Sequence, residues 1–125
     1  MRLLLDSHVL LWSLADSPEL RRELKQEIKD PGNDVMVSAA SVWEIAIKKR
    51  LGKLDAPDDL LEAIEACDFT ALSITVVHAM AAASLPRHHD DPFDRMLIAQ
   101  AQSEGLLLVT RDRHFTTYEV EVLRA

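Results

Sequence analysis

Four acidic residues stand where carboxylates can do chemistry: Asp6, Glu44, Asp94 and Asp112. Asp6 closes the apolar run RLLLD at 2–6, and Asp112 lies just beyond the apolar run LLLVT at 106–110. Asp94 follows the helix-opening pair Asp91-Pro92, and Glu44 sits among Val42, Trp43, Ile45, Ala46 and Ile47. Gathered in one place, such carboxylates repel, and one is driven toward protonation unless a cation is present. Hard oxygen donors suit Mg²⁺, or Mn²⁺, rather than Zn²⁺. A divalent ion so held activates water for in-line attack on a phosphodiester and needs no Ser, Cys or His nucleophile.

The acids meet only if the intervening elements bring them together. Residues 2–6 read as a buried strand, after which Ser7 is positioned to cap a brief helix from His8 to about Ala15. Ser17-Pro18-Glu19 is a second helix start, with Leu20, Leu24 and Ile28 at helical spacing and Asp30-Pro31-Gly32-Asn33 as its stop. VMV at 35–37 is a second buried strand, and Ser38 caps a helix running to Leu51, stopped by Gly52. A Pro57-led helix extends to about Cys67, FTALSI at 69–74 alternates like a strand, and a short helix near 75–84 ends at Pro86. Asp91-Pro92 starts a helix that Gly105 stops, LLLVT at 106–110 is a strand, and EVEVL at 119–123 alternates as a half-exposed edge strand would.

Strands alternating with helices imply right-handed βαβ units around a mostly parallel sheet covered on both faces, an α/β architecture of three layers. In open parallel sheets ligands bind beyond the carboxyl ends of the strands, where strand order reverses. Asp6 and Asp112 both stand at such ends, and Glu44 is long enough to reach back over the sheet edge from its helix.

Each acid also has a purely structural reading. Asp6 can cap a helix or turn, Asp94 suits a helix dipole by roughly 0.3–1 kcal/mol, and Asp112 fits a turn. Glu44 is harder to set aside, because an acid among core residues needs a partner. His88-His89-Asp90-Asp91 reads as a solvated loop before it reads as a zinc site, and His8 and His114 as surface or loop residues. Lys48, Lys49 and Arg50 complement a helix C-terminus; with Arg95, Arg111 and Arg113 they are also candidate phosphate contacts, Arg95 and Lys48 foremost. Trp12, Trp43, Phe93, Phe115 and Cys67 are expected in the core.

At these residues the chain resembles PIN-domain proteins, specifically VapC-type toxins of type II toxin–antitoxin systems. The resemblance runs almost end to end and rests on LLLDSHVLLW at 3–12, SAASVWEIAIKKRLGKL at 38–54 and HHDDPFDRMLIAQAQSEGLLLVTRDRHF at 88–115. It places the family's metal-site acids on Asp6, Glu44, Asp94 and Asp112, and the hydroxyl near the last acid on Thr110. Asp91 competes with Asp94 as ligand; Asp94 is favoured because it directly precedes RMLIAQA, where the family has its acid, while Asp91 looks like the helix N-cap. The resemblance implies a Mg²⁺-dependent endoribonuclease inhibited by a cognate antitoxin protein, with Asp6 and Asp94 binding metal most directly and Thr110 orienting Asp112.

Composition bounds these expectations. At 125 residues and 48% apolar, the chain has the length of one domain, 1–125, and enough apolar surface for a core. Its single Cys67 cannot form an internal disulfide, which points to a reducing cytoplasm. The opening MRLLLDSHVLLW is broken by Asp6 and His8, so neither a signal peptide nor a membrane span is expected. A net charge of −7 opposes non-specific RNA binding unless bound cations or a local basic patch offset it, and suits a basic protein partner. That charge keeps a second function in play, a catalytically idle PIN-like module docking a basic protein. A haloacid-type phosphohydrolase would also use a strand-end Asp, but it has a second Asp two residues later, where this chain has His8. Exposed apolar helices such as 58–67 lead to the expectation of a homodimer.

Overall fold

The computed structural model describes residues 1–125. The chain runs β1 (Arg2–Leu5), α1 (Ser7–Leu14), α2 (Arg22–Lys29), β2 (Asp34–Ser38), α3 (Ala39–Arg50), α4 (Leu60–Ala66), β3 (Thr70–Leu72), α5 (Val76–Ser84), α6 (Pro92–Glu104), β4 (Leu107–Thr110), a 3₁₀ helix (Arg113–Thr117) and β5 (Val122–Arg124). The five strands form one sheet in the order β3-β2-β1-β4-β5, with every pair parallel. This is a three-layer α/β fold.

The period-2 geometry of β1 divides the core. Leu3 and Leu5 face a cluster with Val9, Leu10, Leu24, Ile28, Ile45 and Ile64, whereas Leu4 faces Leu97, Ile98, Leu108, Phe115 and Tyr118 on the other side. Because β1 is buried on both faces, its sequence is a continuous apolar run rather than an alternating one. In register, Leu5 lies between Val37 of β2 and Val109 of β4. The chain winds outward from β1 to β2 and β3, then returns to add β4 and β5 on the other side. The order therefore reverses between β1 and β4, and a crevice opens past their carboxyl ends.

Three element boundaries differ from the sequence expectation. The helix expected from Ser17 starts at Arg22, because the Ser17 hydroxyl accepts from Glu19 N (3.2 Å) and closes a turn instead. The Pro57-led helix starts at Leu60 with Asp59 as its cap; Lys49 Nζ holds the approach by donating to Ala56 O and Asp58 Oδ1, both at 2.7 Å. The last strand shifts to 122–124, since 113–117 turn as a 3₁₀ helix and Leu108 N donates to Glu121 O. Gly105, at φ 66, ends α6 in the left-handed region, as its position after the apolar pattern implies. Cys67, expected in the core, is exposed just after α4.

The link between α5 and α6 is held by one side chain. Arg95 donates to the carbonyls of Ala82 (2.8 Å), Leu85 (2.9 Å), Pro86 (3.0 Å) and His89 (3.2 Å). Nearby, buried His78 joins the same two helices through Glu104 Oε1 at 2.8 Å. Arg95→Met keeps most of the aliphatic volume and removes the donors from four carbonyls. The expected cost is about 2 kcal/mol, discounted for partial exposure, read as a lower urea midpoint with unchanged slope. A midpoint equal to wild type would mean that the loop holds itself.

Candidate active site

Asp6 follows directly on β1, and its extended backbone (φ −75, ψ 173) makes it the N-cap of α1, with Oδ1 accepting from Val9 N at 2.8 Å. The expected cap was Ser7; Asp6 takes that role, which frees the Ser7 hydroxyl to donate to Glu44 Oε1 at 2.5 Å. The other oxygen of Asp6 accepts from Thr110 Oγ1 at 2.5 Å. Burial raises the Asp6 carboxyl above the usual range, and the bonds from Thr110 and Val9 partly offset that.

Glu44 is 7% exposed and is held by two donors, Ser7 and Lys48, the latter bonding Oε2 at 2.8 Å. Its position one turn into α3 puts Lys48 one further turn on, an i,i+4 pair. The carboxylate raises the Lys48 ammonium above its ordinary value, against the opposing effect of partial burial.

Asp94 lies in the first turn of α6, whose N-cap is Asp91, accepting from Phe93 N (2.8 Å) and Asp94 N (3.2 Å). The Asp94 carboxylate itself receives no protein hydrogen bond; its nearest cation-forming neighbour is His89 Nε2 at 3.7 Å. Burial, followed by the charges of Asp91, Glu44, Asp112 and Asp6, pushes its pKa up to about 7. Asp112 behaves oppositely. Partial burial works to raise it, but His114 holds it below the ordinary range by donating its backbone N (2.9 Å) and pairing its Nδ1 (2.8 Å) with Oδ1.

All four acids line one open cavity of about 280 Å³ beyond the carboxyl ends of β1 and β4, together with Ser7, His8, Lys48, His89, Asp91 and His114. Thr110, expected to orient Asp112, lies buried at the end of β4 and touches both Asp6 and Asp112. Its hydroxyl goes to Asp6 rather than to the Asp112 side chain, and it accepts from Asp112 N at 3.0 Å, so it ties both acids through one oxygen.

Arg95 is not free to contact phosphate, since its guanidinium is spent on the carbonyls that shape the 85–89 loop. Arg111 is also occupied: it stacks over Trp12 at 4.3 Å and bonds Glu19. Lys48 remains at the cavity, paired with Glu44. Trp43, expected in the core, is 64% exposed and meets Phe93 edge-on at 5.5 Å, while Phe115 is buried as expected.

Ser7, His8, His89 and His114 are cavity residues that the sequence pattern alone assigns elsewhere. The pattern gives Ser7 the cap role that Asp6 fills, His8 a surface position and the His88-His89 pair a solvated loop. The adjacency of His114 to Asp112 was the available signal for a contact.

The donor set fits a hard divalent cation. It consists of carboxylate oxygens without a thiolate, and Asp94 is driven toward protonation by burial and then by neighbours of its own charge, which a cation would relieve. Asp6, Asp94, Glu44 and Asp112 are the groups positioned to hold it. His89, Asp112 and His114 form a tighter knot, with ligand-capable atoms within 4.8 Å of one another.

The PIN domain family profile matches residues 3–121. The chain belongs to the PIN domain family. It is 30% identical to Ribonuclease VapC22 of Mycobacterium tuberculosis (strain ATCC 25618 / H37Rv) over 118 residues, covering 92% of this chain and 90% of that one. Two solved structures share the PIN fold at low identity. VapBC2 from Rickettsia felis, bound to a DNA fragment from its promoter, superposes with a TM-score of 0.73 at 12% identity, over 100% of this chain and 99% of that one. DNA-bound VapBC from Salmonella typhimurium gives 0.72 at 19% identity, over 99% and 98%.

Crowding at Asp94 has a measurable consequence for the metal-free PIN domain. Its folded pKa of about 7 lies above the unfolded value of 3.8, so the native state holds the proton more tightly than the unfolded chain. The associated stability is present near pH 4 and is lost as pH rises toward and through 7. In EDTA, Asp94→Asn is therefore expected to melt several degrees above wild type at pH 8, with the gap closing toward pH 5. Each kcal/mol relieved is worth on the order of 4 °C. A variant melting below wild type at pH 8 would contradict the crowding.

Proposed function

We propose that this chain, acting as one domain over residues 1–125, is a metal-dependent endoribonuclease and the toxin of a toxin–antitoxin pair. The observation that carries the reading is the convergence of Asp6, Glu44, Asp94 and Asp112 from four distant segments on one cavity at the reversal of strand order. Family membership and the likeness to Ribonuclease VapC22 support it. Asp6 and Asp94 would hold Mg²⁺ (or Mn²⁺) most directly, and Glu44 and Asp112 would complete the site. When bound, the ion offsets phosphate charge and activates water for in-line attack.

The protein's own residues do the positioning. Thr110 fixes one Asp6 oxygen and Val9 N the other, so the carboxylate has one orientation. Ser7 and Lys48 each hold one oxygen of Glu44, and Lys48, at the rim, is the cation placed to meet an RNA phosphate. Hydrolysis forms a new O–P bond from water and breaks the P–O bond to the leaving ribose oxygen.

The antitoxin is a protein with a basic segment to match the net charge of −7, and the VapBC likenesses favour such a partner. Beside the acidic cavity, α3 and α4 border an apolar groove of about 440 Å³ that includes Val42, Trp43, Ala46 and Leu61, a surface suited to an apolar stretch of that protein. A homodimer would instead use α5, where Val76, Val77 and Met80 are each at least two-thirds exposed on one helix. No helix is long and apolar enough to cross a membrane, and a cytoplasmic site of action suits an enzyme that cuts RNA.

Glu44→Gln and Asp94→Asn are each expected to lower RNA cleavage by about 10²-fold or more with the circular-dichroism spectrum preserved, and EDTA is expected to abolish it. Cutting at the wild-type rate by either variant would remove these residues from the site. If the protein lacks millimolar divalent affinity altogether, the idle binding module becomes the better reading. Separately, Val77→Glu with Met80→Glu is expected to halve the mass seen by light scattering. An unchanged mass would move the dimer contact elsewhere.

A further inference from the structure

One histidine in the cavity is held in a defined chemical form. His89 sits in the loop that Arg95 fastens, its own carbonyl accepting from Arg95 Nη1 at 3.2 Å. Its side chain is only 20% exposed. His89 Nδ1 accepts from the backbone N of Asp91 at 3.1 Å. A backbone amide can only donate, so Nδ1 must present its lone pair, and in a neutral imidazole the proton then resides on Nε2. That Nε2–H faces the acidic cavity. The nearest carboxylate oxygen is Asp94 Oδ2 at 3.7 Å, too far for a hydrogen bond.

The same tautomer bears on the knot formed with Asp112 and His114. A ring nitrogen that carries hydrogen has no lone pair for a metal, so His89 cannot serve that cluster as a ligand through Nε2 without breaking its bond to Asp91. His114, whose Nδ1 is bonded to Asp112, belongs to the carboxylate's own support. His89 is therefore a fixed donor without an acceptor, set in a wall that carries five carboxylates and whose one lysine is already paired with Glu44. A wall of carboxylates repels an anionic substrate, and an N–H at the correct spot is one of the few protein groups that welcomes a phosphate oxygen.

Resting on the nuclease reading above, we infer that His89 is a substrate-binding residue whose Nε2–H donates to a nonbridging phosphate oxygen of the RNA strand lying in the cavity. Asp91 sets the tautomer through its backbone N while capping α6 with its side chain, and Arg95 is a positioning residue that fixes the loop. The arrangement separates two tasks within the segment 89–95: Asp94 for the metal, His89 for the phosphate.

The test uses the full 125-residue chain as wild type, His89→Phe, which keeps ring bulk without a donor, and His89→Gln, which restores one. The probe is a fluorescent RNA of mixed sequence, titrated with Ca²⁺ in place of Mg²⁺ so that it is bound without being cut, its integrity checked on a gel. His89→Phe is expected to weaken binding about tenfold, and His89→Gln to recover most of it. Imidazole ¹⁵N spectra of the free protein are expected to place the His89 proton on Nε2. Equal affinity of wild type and His89→Phe would overturn the inference, and so would a proton on Nδ1. Should His89→Phe fail to fold, the spectrum decides alone. A wild type that binds the probe but cuts no RNA would sink the nuclease reading and leave His89 standing. One that binds no probe would sink both.

Discussion

A single hydroxyl, Thr110 Oγ1, joins the ends of β1 and β4 by donating to Asp6 Oδ2 at 2.5 Å while accepting from Asp112 N at 3.0 Å. Those strands are neighbours in the sheet but more than a hundred residues apart in sequence, the bond spanning 104 positions. Without it, the two acids at adjacent strand ends would keep only their local contacts, Asp6 with Val9 N and Asp112 with His114, and nothing from a side chain would tie one to the other. With it, the Asp6 carboxylate is oriented on both sides and the first turn after β4 is pinned to the same atom. The bond lies at the point where winding order reverses, so the fold's topology and the geometry of its carboxylates share one constraint.

The remaining supports follow from the charge gathered there. Asp6 has Thr110 and Val9, Glu44 has Ser7 and Lys48, and Asp112 has His114. Asp94 alone lacks a hydrogen-bond donor, and it alone is carried to a pKa near neutrality. Three acids thus have hydrogen-bond donors from the protein, although burial still raises Asp6, and the fourth is left to be stabilised by something that arrives. That asymmetry is what a metal site built from repelling groups looks like before its ion is counted.

Much of this was legible in the sequence. The buried runs 2–5 and 107–110, the Ser38 and Asp91 caps, and the Gly105 stop are all local signals, and they place three of the four acids at element boundaries. The strand-end rule then brings Asp6 and Asp112 to one crevice. What escaped depends on contacts distant in the chain. Whether Ser7 or Asp6 caps α1 is decided by the reach of Ser7 to Glu44, 37 residues away. Arg95 looked like a phosphate contact because it follows Asp94, yet helical geometry turns it away from that neighbour and toward the α5–α6 loop. Trp43 is expected inside as a large aromatic; the fold buries Ile45 and Glu44 and leaves Trp43 outside.

The fate of the cations resolves the tension between a net charge of −7 and a polyanionic substrate. Arg95 is consumed by loop carbonyls, Arg111 by Trp12 and Glu19, and Lys49 by Asp58. Lys48 is shared with Glu44. Arg113, next to Asp112, and Arg50, at the end of α3, are exposed and make no ion pair. With Arg95, Arg111 and Lys49 committed, electrostatic capture of RNA by the protein alone is nevertheless weak for a chain of net charge −7. Attraction has to come from the divalent ion that the acids select, supplemented by directional donors at short range. Such a site discriminates by fit near the metal rather than by long-range charge.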